Sequence, residues 1–192
     1  NEAEDLVDNL EGGSENLLRN TGFFGDYVSA YLLGEVVLSE TSEMYSPSLQ
    51  HWTSSLATAV EMSESESGKG VRIENGGSIQ QSMFHPVTDG EKYVFSFRGK
   101  GGSIKMSVGQ YSKTFTLSSS FGLYFEKFVA TGSTRIIKIE ATGTCDLCEL
   151  QLERGTIRSA WGMSPLDNQS AQAQYESMTY LKQAIEDGSS EF

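Results

Sequence analysis

The strongest constraint on the fold is a two-residue apolar rhythm that recurs along the middle of the chain and is broken by glycine. In Tyr93-Val-Phe-Ser-Phe-Arg98, the rings of Tyr93, Phe95 and Phe97 fall on one side, and Val94, Ser96 and Arg98 on the other. Ile104, Met106 and Val108 alternate in the same way, as do Phe115 with Leu117 and Ile137 with Ile139. Cys148, Leu150 and Leu152 form a last apolar face, opposed by Glu149, Gln151 and Glu153. Successive side chains of a strand point to opposite faces, so this period predicts half-buried strands. Between the runs lie Asn75-Gly76-Gly77, Asp89-Gly90, Gly99 to Gly102 and Thr131-Gly132-Ser133, all with turn chemistry. Many short strands, each apolar on one face, predict two antiparallel sheets packed together. The fold class is mainly β, an antiparallel β-sandwich of jelly-roll type, with Phe95 deep in its core.

A chain of 192 residues has room for one such sandwich and short extensions. Residues 1–15 read as an acidic N-terminal extension ending in a Gly-Gly-Ser hinge, 16–168 as the sandwich, and 169–192 as a C-terminal helical linker. In 171–186 there is no Gly or Pro, and Ala171, Tyr175, Met178, Leu181 and Ile185 follow the 3.5-residue spacing of a coiled-coil seam. Two heptads are too short to stand alone in water. A monomer is therefore expected for this chain, and a trimer for a full-length parent. The first residue is Asn1 rather than Met, as expected of a piece of something longer.

Charge narrows the partners. Lys+Arg is 14 against Asp+Glu 26, a net of -12. Residues 1–15 hold six acids and no base, whereas 16–168 hold sixteen acids and thirteen bases, so most of the excess sits in the extensions. Nucleic acid is excluded as a partner, because phosphate neutralisation needs a basic surface. Membrane insertion is not expected, since no apolar run approaches about 20 residues, and no signal-peptide run appears near the start.

Cys145 and Cys148 form a single C-x-x-C. A structural zinc needs four ligands, and His51 and His85 are too isolated to complete a set. A redox pair would head a helix in a βαβ setting, whereas these flanks read as strands. Two ordinary thiols are expected, with Cys148 in the core, and no metal or cofactor.

The stretch Leu150-Gln-Leu-Glu-Arg-Gly-Thr-Ile-Arg-Ser-Ala-Trp161 resembles the "LEKG…T-x-W" closing strand of carbohydrate-binding-module-like jelly rolls in phage and prophage tail proteins. Asn16-Leu-Leu-Arg-Asn-Thr-Gly-Phe23 is similar to the start of such domains, which a Trp follows after a variable loop, here Trp52. Ile79-Gln-Gln81 with Gly90-Glu-Lys-Tyr93-Val-Phe-Ser-Phe97 is similar to their "I-x-Q … G-K-x-Y-T-F-S-F" hairpin. The segment from Tyr180 looks like a linker of Bacteroides-type prophage tail proteins. The resemblance covers about 16–168 and implies a minor structural protein of a tail, located on the virion or at a cell surface. It also implies a glycan partner, bacterial or host. Modules of this kind often hold a structural calcium; Asp26 alone is no site, and no metal is assigned.

The residues themselves disfavour catalysis. Glu149 and Glu153 would lie about 13 Å apart along a strand, too far for a carboxylate pair across a cleft. No nucleophile elbow or phosphate-cradling loop is present. Binding needs less. Tyr45-Ser-Pro-Ser-Leu-Gln-His-Trp52 puts two aromatics, an amide and the His51 imidazole in one loop, and the Gln81 amide shares a strand face with Ile79 and Met83. Trp52, Tyr45, Gln81 and His51 are thus the candidate carbohydrate contacts, with core packing the alternative for Trp52 and a structural hydrogen bond for Gln81. Trp161 is expected to fold back over one sheet end. The function read here is a non-catalytic glycan- or surface-binding module. The alternative is a ligand-free structural spacer of a tail fibre, and a glycoside-active enzyme comes third.

Overall fold

A computed structural model describes residues 15–24, 47–164 and 167. The proposed C-terminal helix, its seam and nearly all of the acidic extension lie outside the described residues, as do Asp26 and Tyr45.

The described chain is antiparallel β-structure: β1 Thr53–Glu61, β2 Lys69–Val87, β3 Lys92–Val108, β4 Tyr111–Thr116, β5 Gly122–Val129 and β6 Thr134–Arg154. The strands run in the order β1-β2-β6-β3-β4, with β5 also paired to β3. Three of them, β2, β3 and β6, are about twice the length that the sequence rhythm suggests. The expected pair of separate sheets is therefore one continuous sheet folded over on itself.

The fold line explains the difference. It passes through Leu56, Gly76-Gly77, Gly143 and Gly101-Gly102, and four of these residues have positive φ: Leu56 50°, Gly76 82°, Gly101 122° and Gly143 75°. A Cβ on Gly101 would sit 2.1 Å from the Thr144 carbonyl oxygen, and one on Gly102 2.1 Å from that of Thr142. Only glycine lets β3 and β6 approach so closely while bending. Asn75-Gly76-Gly77 and Gly99 to Gly102 are thus bends inside strands, not turns between them. Asp89-Gly90 and Thr131-Gly132-Ser133 are true turns, tied together by the Gly132 N–H donating to Asp89 Oδ1 at 2.8 Å.

Beyond the line, one layer carries Ile79, Met83, Ile104, Met106, Ile137, Ile139 and Phe115 inward, and the other carries Val71, Ile73, Tyr93, Phe95, Phe97, Leu147, Leu150 and Leu152. The layers meet where Phe115 of β4 lies 5.9 Å from Phe95 and 5.2 Å, edge-on, from Phe97. Phe95 is fully buried, as the alternation predicts.

The parity of β6 departs from expectation. A bulge between Ser96 and Arg98 of β3 sets one residue there, Phe97, against two on β6, Glu149 and Leu150, and Glu149 takes φ 54°. One extra residue turns every later side chain to the other face. Leu147, Leu150 and Leu152 therefore share the core, and it is Cys145 that joins them. Cys148 is buried apart from that cluster, on the face of Gln151 and Glu153. Those two polar residues are buried as well, because the chain doubles back over them. Gln151 Oε1 accepts the Gly162 N–H at 3.0 Å, and the Glu153 carboxylate accepts the Ser159 N–H and, at 2.8 Å, the Gln151 amide. Trp161 folds back as expected, its indole N–H donating to Thr21 Oγ1 at 3.1 Å.

The first segment pairs with the last strand. The Leu17 N–H donates to the Leu152 carbonyl at 2.8 Å, and Asn16 donates from its amide to Leu150 and accepts from Leu152 N–H.

Candidate functional site

Two of the sequence-predicted site residues are engaged inside the fold. Trp52 stacks on Phe23 at 6.0 Å and donates its indole N–H to the Asn20 carbonyl at 3.1 Å. The buried Gln81 amide holds both backbone groups of the neighbouring residue: Oε1 accepts from Arg19 N–H at 2.8 Å, and Nε2 donates to Arg19 O at 3.0 Å. Trp52 and Gln81 thus converge on Arg19-Asn20 and fix the first segment to the sandwich. His51, beside Trp52, is exposed with φ 73°. The structure does not bring these three together as one open platform.

A different arrangement is exposed on the outer face of the layer containing β5. Glycine and strand alternation in Gly122-Leu-Tyr-Phe-Glu-Lys-Phe-Val129 turn Tyr124 and Phe128 inward, where they stack on Phe97 at 5.3 Å and Tyr111 at 4.3 Å. Leu123, Phe125, Lys127 and Val129 then face out, with Phe125 49% exposed. Beside them, the outward residues of β3 are Arg98, Ser96, Val94 and Lys92, in register with Leu123, Phe125, Lys127 and Val129 respectively. The third component is the returning segment 155–162. Its Arg158 guanidinium stands 5.9 Å from the centre of the Phe125 ring, and its Ile157 is exposed.

The edge strand β5 and the return thus flank β3, whose Val94 and Ser96 are buried between them. At one end of this arrangement lies a cleft of about 140 Å³ lined by Lys92, Tyr93, Lys127, Phe128, Val129, Gly155 and Thr156. The return is held rigidly enough to act as a wall. Gly155 N–H donates to Lys92 O at 3.0 Å, and Gln151 and Glu153 anchor residues 159–162 from below.

At the other end, Arg98 is committed. It pairs with Glu149 at 2.9 Å and donates to the Glu64 carbonyl, and the hydrogen bond it donates to the Glu149 carboxylate raises its already high pKa. Next to it burial pushes the Cys148 thiol up to about 12, with Glu149 adding to the shift. Burial also raises Cys145. Burial thus favours the protonated thiol at both positions. Among the described residues, no group of three or more His, Cys, Asp or Glu is placed to hold a metal ion.

No protein-family model matches this sequence, and no curated protein matches it. Solved structures are similar over part of it. One is the C-terminal CBM6 of LamC, a marine laminarinase from Zobellia galactanivorans, at 11% identity over 53% of this chain and 91% of that one, with a TM-score of 0.44. A second is the carbohydrate-binding module of Cellvibrio mixtus lichenase 5A in complex with cellotriose, at 14% identity over 54% and 91%, with a TM-score of 0.44. A third is the enzymatically active domain of bacteriophage CBA120 tailspike protein 4, at 10% identity over 55% of this chain and 19% of that one, with a TM-score of 0.44.

Sequence reasoning missed Phe125, Lys127 and Arg158. Residues 123–129 are apolar on both faces, so periodicity could not say which face is buried. Each face also carries one charge, Glu126 on the side of Tyr124 and Phe128 and Lys127 on the side of Phe125, so charge did not separate them either.

Proposed function

We propose that this chain is a non-catalytic glycan-binding β-sandwich module of a phage or prophage tail protein, and that it docks on a surface polysaccharide along the β5 face. The observation that carries the reading is the half-exposed Phe125 ring, presented from a strand beside the Arg158 guanidinium. A flat apolar ring takes the C–H face of a pyranose, and charged or amide groups around it take the hydroxyls. The rigid strand and the anchored return supply this geometry before any ligand arrives, which lowers the ordering cost of binding.

The carboxylates near the site support a role without catalysis. Glu149 is held by Arg98, and Glu153 is buried under hydrogen bonds from Gln151 and Ser159. Neither is placed to exchange protons with a ligand on that face. The tail setting rests on the motif resemblance, and with it go a location on the virion or at a cell surface, a monomeric module and a trimeric parent.

One observation favours a side-hung module over an in-line spacer. Arg19 and Asp167 are joined at 2.7 Å, so the described chain enters and leaves the sandwich at one place. A spacer carrying length along a fibre needs those points apart.

Titration of the protein against bacterial surface polysaccharides, with Phe125→Ala and His51→Ala alongside, tests the reading. Binding that falls about tenfold or more in Phe125→Ala, with an unchanged circular dichroism spectrum, is expected. No binding to any glycan, or binding indifferent to Phe125, would remove it. A loss in His51→Ala instead would move the site to the loop before β1.

A further inference from the structure

We infer that Asn75 is a site of spontaneous covalent modification, where the side-chain amide is lost to water and aspartate or isoaspartate replaces it. The sequence holds six asparagines, and Asn75 alone is followed by glycine. Three of the six are among the described residues, in different surroundings. Asn16 and Asn20 are buried, and their amide nitrogens donate to carbonyl oxygens, of Leu150 and Gly162 for the first and of Ser48 and Gln50 for the second. Asn75 is exposed, and its amide nitrogen makes no hydrogen bond among the described residues.

The fold line supplies both the space and the polarisation that this chemistry needs. Residues 74–77 of β2 have no ladder partner, since its pairs with β1 and with β6 stop at Ile73 and resume at Ser78. Gly76 takes φ 82°, and a Cβ there would meet nothing within 4 Å. With no side chain to shield it, the glycine nitrogen can approach the Cγ of the residue before it. The Gly143 backbone N–H donates to Asn75 Oδ1 at 2.8 Å. A donor on that oxygen stabilises the negative charge it gains when Cγ is attacked, as in an oxyanion hole. Hydroxide takes the proton of the Gly76 backbone nitrogen, which then bonds to Asn75 Cγ. The Cγ–Nδ2 bond breaks, and Nδ2 takes a proton from water and leaves as ammonia. Water opens the resulting five-membered imide at either carbonyl. Opening at the side-chain carbonyl gives aspartate, and opening at the main-chain carbonyl gives isoaspartate, with the chain now running through Cβ and Cγ.

The two products differ in what they do to the bend. Aspartate keeps a carboxylate oxygen for the Gly143 N–H. Isoaspartate adds a methylene to the main chain of β2 next to Gly77, where the packing is tight: a Cβ on Gly77 would sit 2.7 Å from the carbonyl oxygens of Ser55 and Leu56. Both products also set a negative charge beside Glu74, whose carboxylate accepts from Thr144 Oγ1 at 3.1 Å. Isoaspartate therefore loosens the bend, and aspartate leaves it nearly as it was.

The test incubates the whole native chain in warm, mildly alkaline buffer, beside the same chain unfolded in urea and the Asn75→Gln variant. Peptide masses after proteolysis read the amide-to-acid change at each asparagine, and labelling by an isoaspartyl methyltransferase reads isoaspartate. Asn75 is expected to convert at least as fast in the native chain as in urea, and about tenfold or more faster than Asn16 or Asn20. Asn75→Gln should lose the conversion and the label, because its longer side chain closes a less favoured ring. The isoaspartate-bearing fraction, separated by charge, should melt below the parent, and Asn75→Asp close to it. An Asn75 that stays intact in the native chain while it converts in urea would overturn the site, since the fold would then protect it. Conversion led by Asn16 or Asn20 would overturn it as well. An isoaspartate fraction that melts with the parent would overturn the loosening of the bend.

Discussion

The Arg19 side chain donates to Asp167 Oδ1 at 2.7 Å, while Asp167 Oδ2 accepts the Asn20 backbone N–H at 2.7 Å. One carboxylate from the end of the sandwich thus holds the side chain of one residue and the backbone of the next at its beginning. The same two residues are gripped from the other side by Gln81 and Trp52. The first segment has few ladder hydrogen bonds of its own, so these side chains substitute for a sheet partner.

Removing the carboxylate should loosen that segment. Asp167→Ala is expected to cost about 1–2 kcal/mol, since it deletes a partly buried ion pair and leaves the Asn20 N–H to find water. Urea denaturation would measure it. A midpoint unchanged from the parent would show that Gln81 and Trp52 hold the segment unaided.

Phe95 sits where the two layers meet, touching Phe97 and Phe115. Truncation to Ala should cost about 3–5 kcal/mol, the range for a large aromatic removed from a packed core. Chemical denaturation reads this directly, and a cost below about 1 kcal/mol would mean the core is centred elsewhere.

The fold line can be tested at Gly101. Its φ of 122° is disfavoured for any side chain, and an added Cβ would press on the Thr144 carbonyl at 2.1 Å. Gly101→Ala should therefore destabilise the protein by about 2 kcal/mol or more. Gly68→Ala is the control: its φ is also positive, at 79°, but a Cβ there meets nothing within 4 Å. It should lose less, because it carries the backbone strain without the collision.

Cys148 has a pKa raised by burial from 9.0 to about 12. The unfolded chain releases this proton first, so the contribution of Cys148 to stability is complete below about pH 9 and is lost as pH climbs towards 12. Stability measured between pH 9 and 11 should fall more steeply in the parent than in Cys148→Ala. Equal slopes would contradict the buried neutral thiol. The native protein should also react slowly with a thiol reagent at pH 8, and melting should be insensitive to chelators.

Much of the fold was legible because strand alternation is a local property. Phe95, Ile104 and Ile139 announce their inward faces within a few residues of sequence, and Asp89-Gly90 its turn. Glycine is where local reading divides. Gly90 and Gly101 both have positive φ, at 83° and 122°, yet one ends a strand and the other bends it. The difference is whether a neighbouring strand continues alongside, and the β3 sequence contains no record of β6.

What the amino-acid sequence determined by itself was a mainly β chain and its principal core residues. Tertiary structure alone decided the rest, since each remaining feature depends on a partner distant in the chain. The bulge at Glu149 sends Cys148 away from Leu150 because β3 opposes it with one residue fewer. Gln81 and Trp52 became supports because Arg19-Asn20 lies against them. In β5, apolar side chains line both faces, and only the packing of Tyr124 on Phe97 and Phe128 on Tyr111 settled that Phe125 is left for solvent. Periodicity can say that a strand has two faces. Which of them the core covers is decided by contacts between residues far apart in sequence.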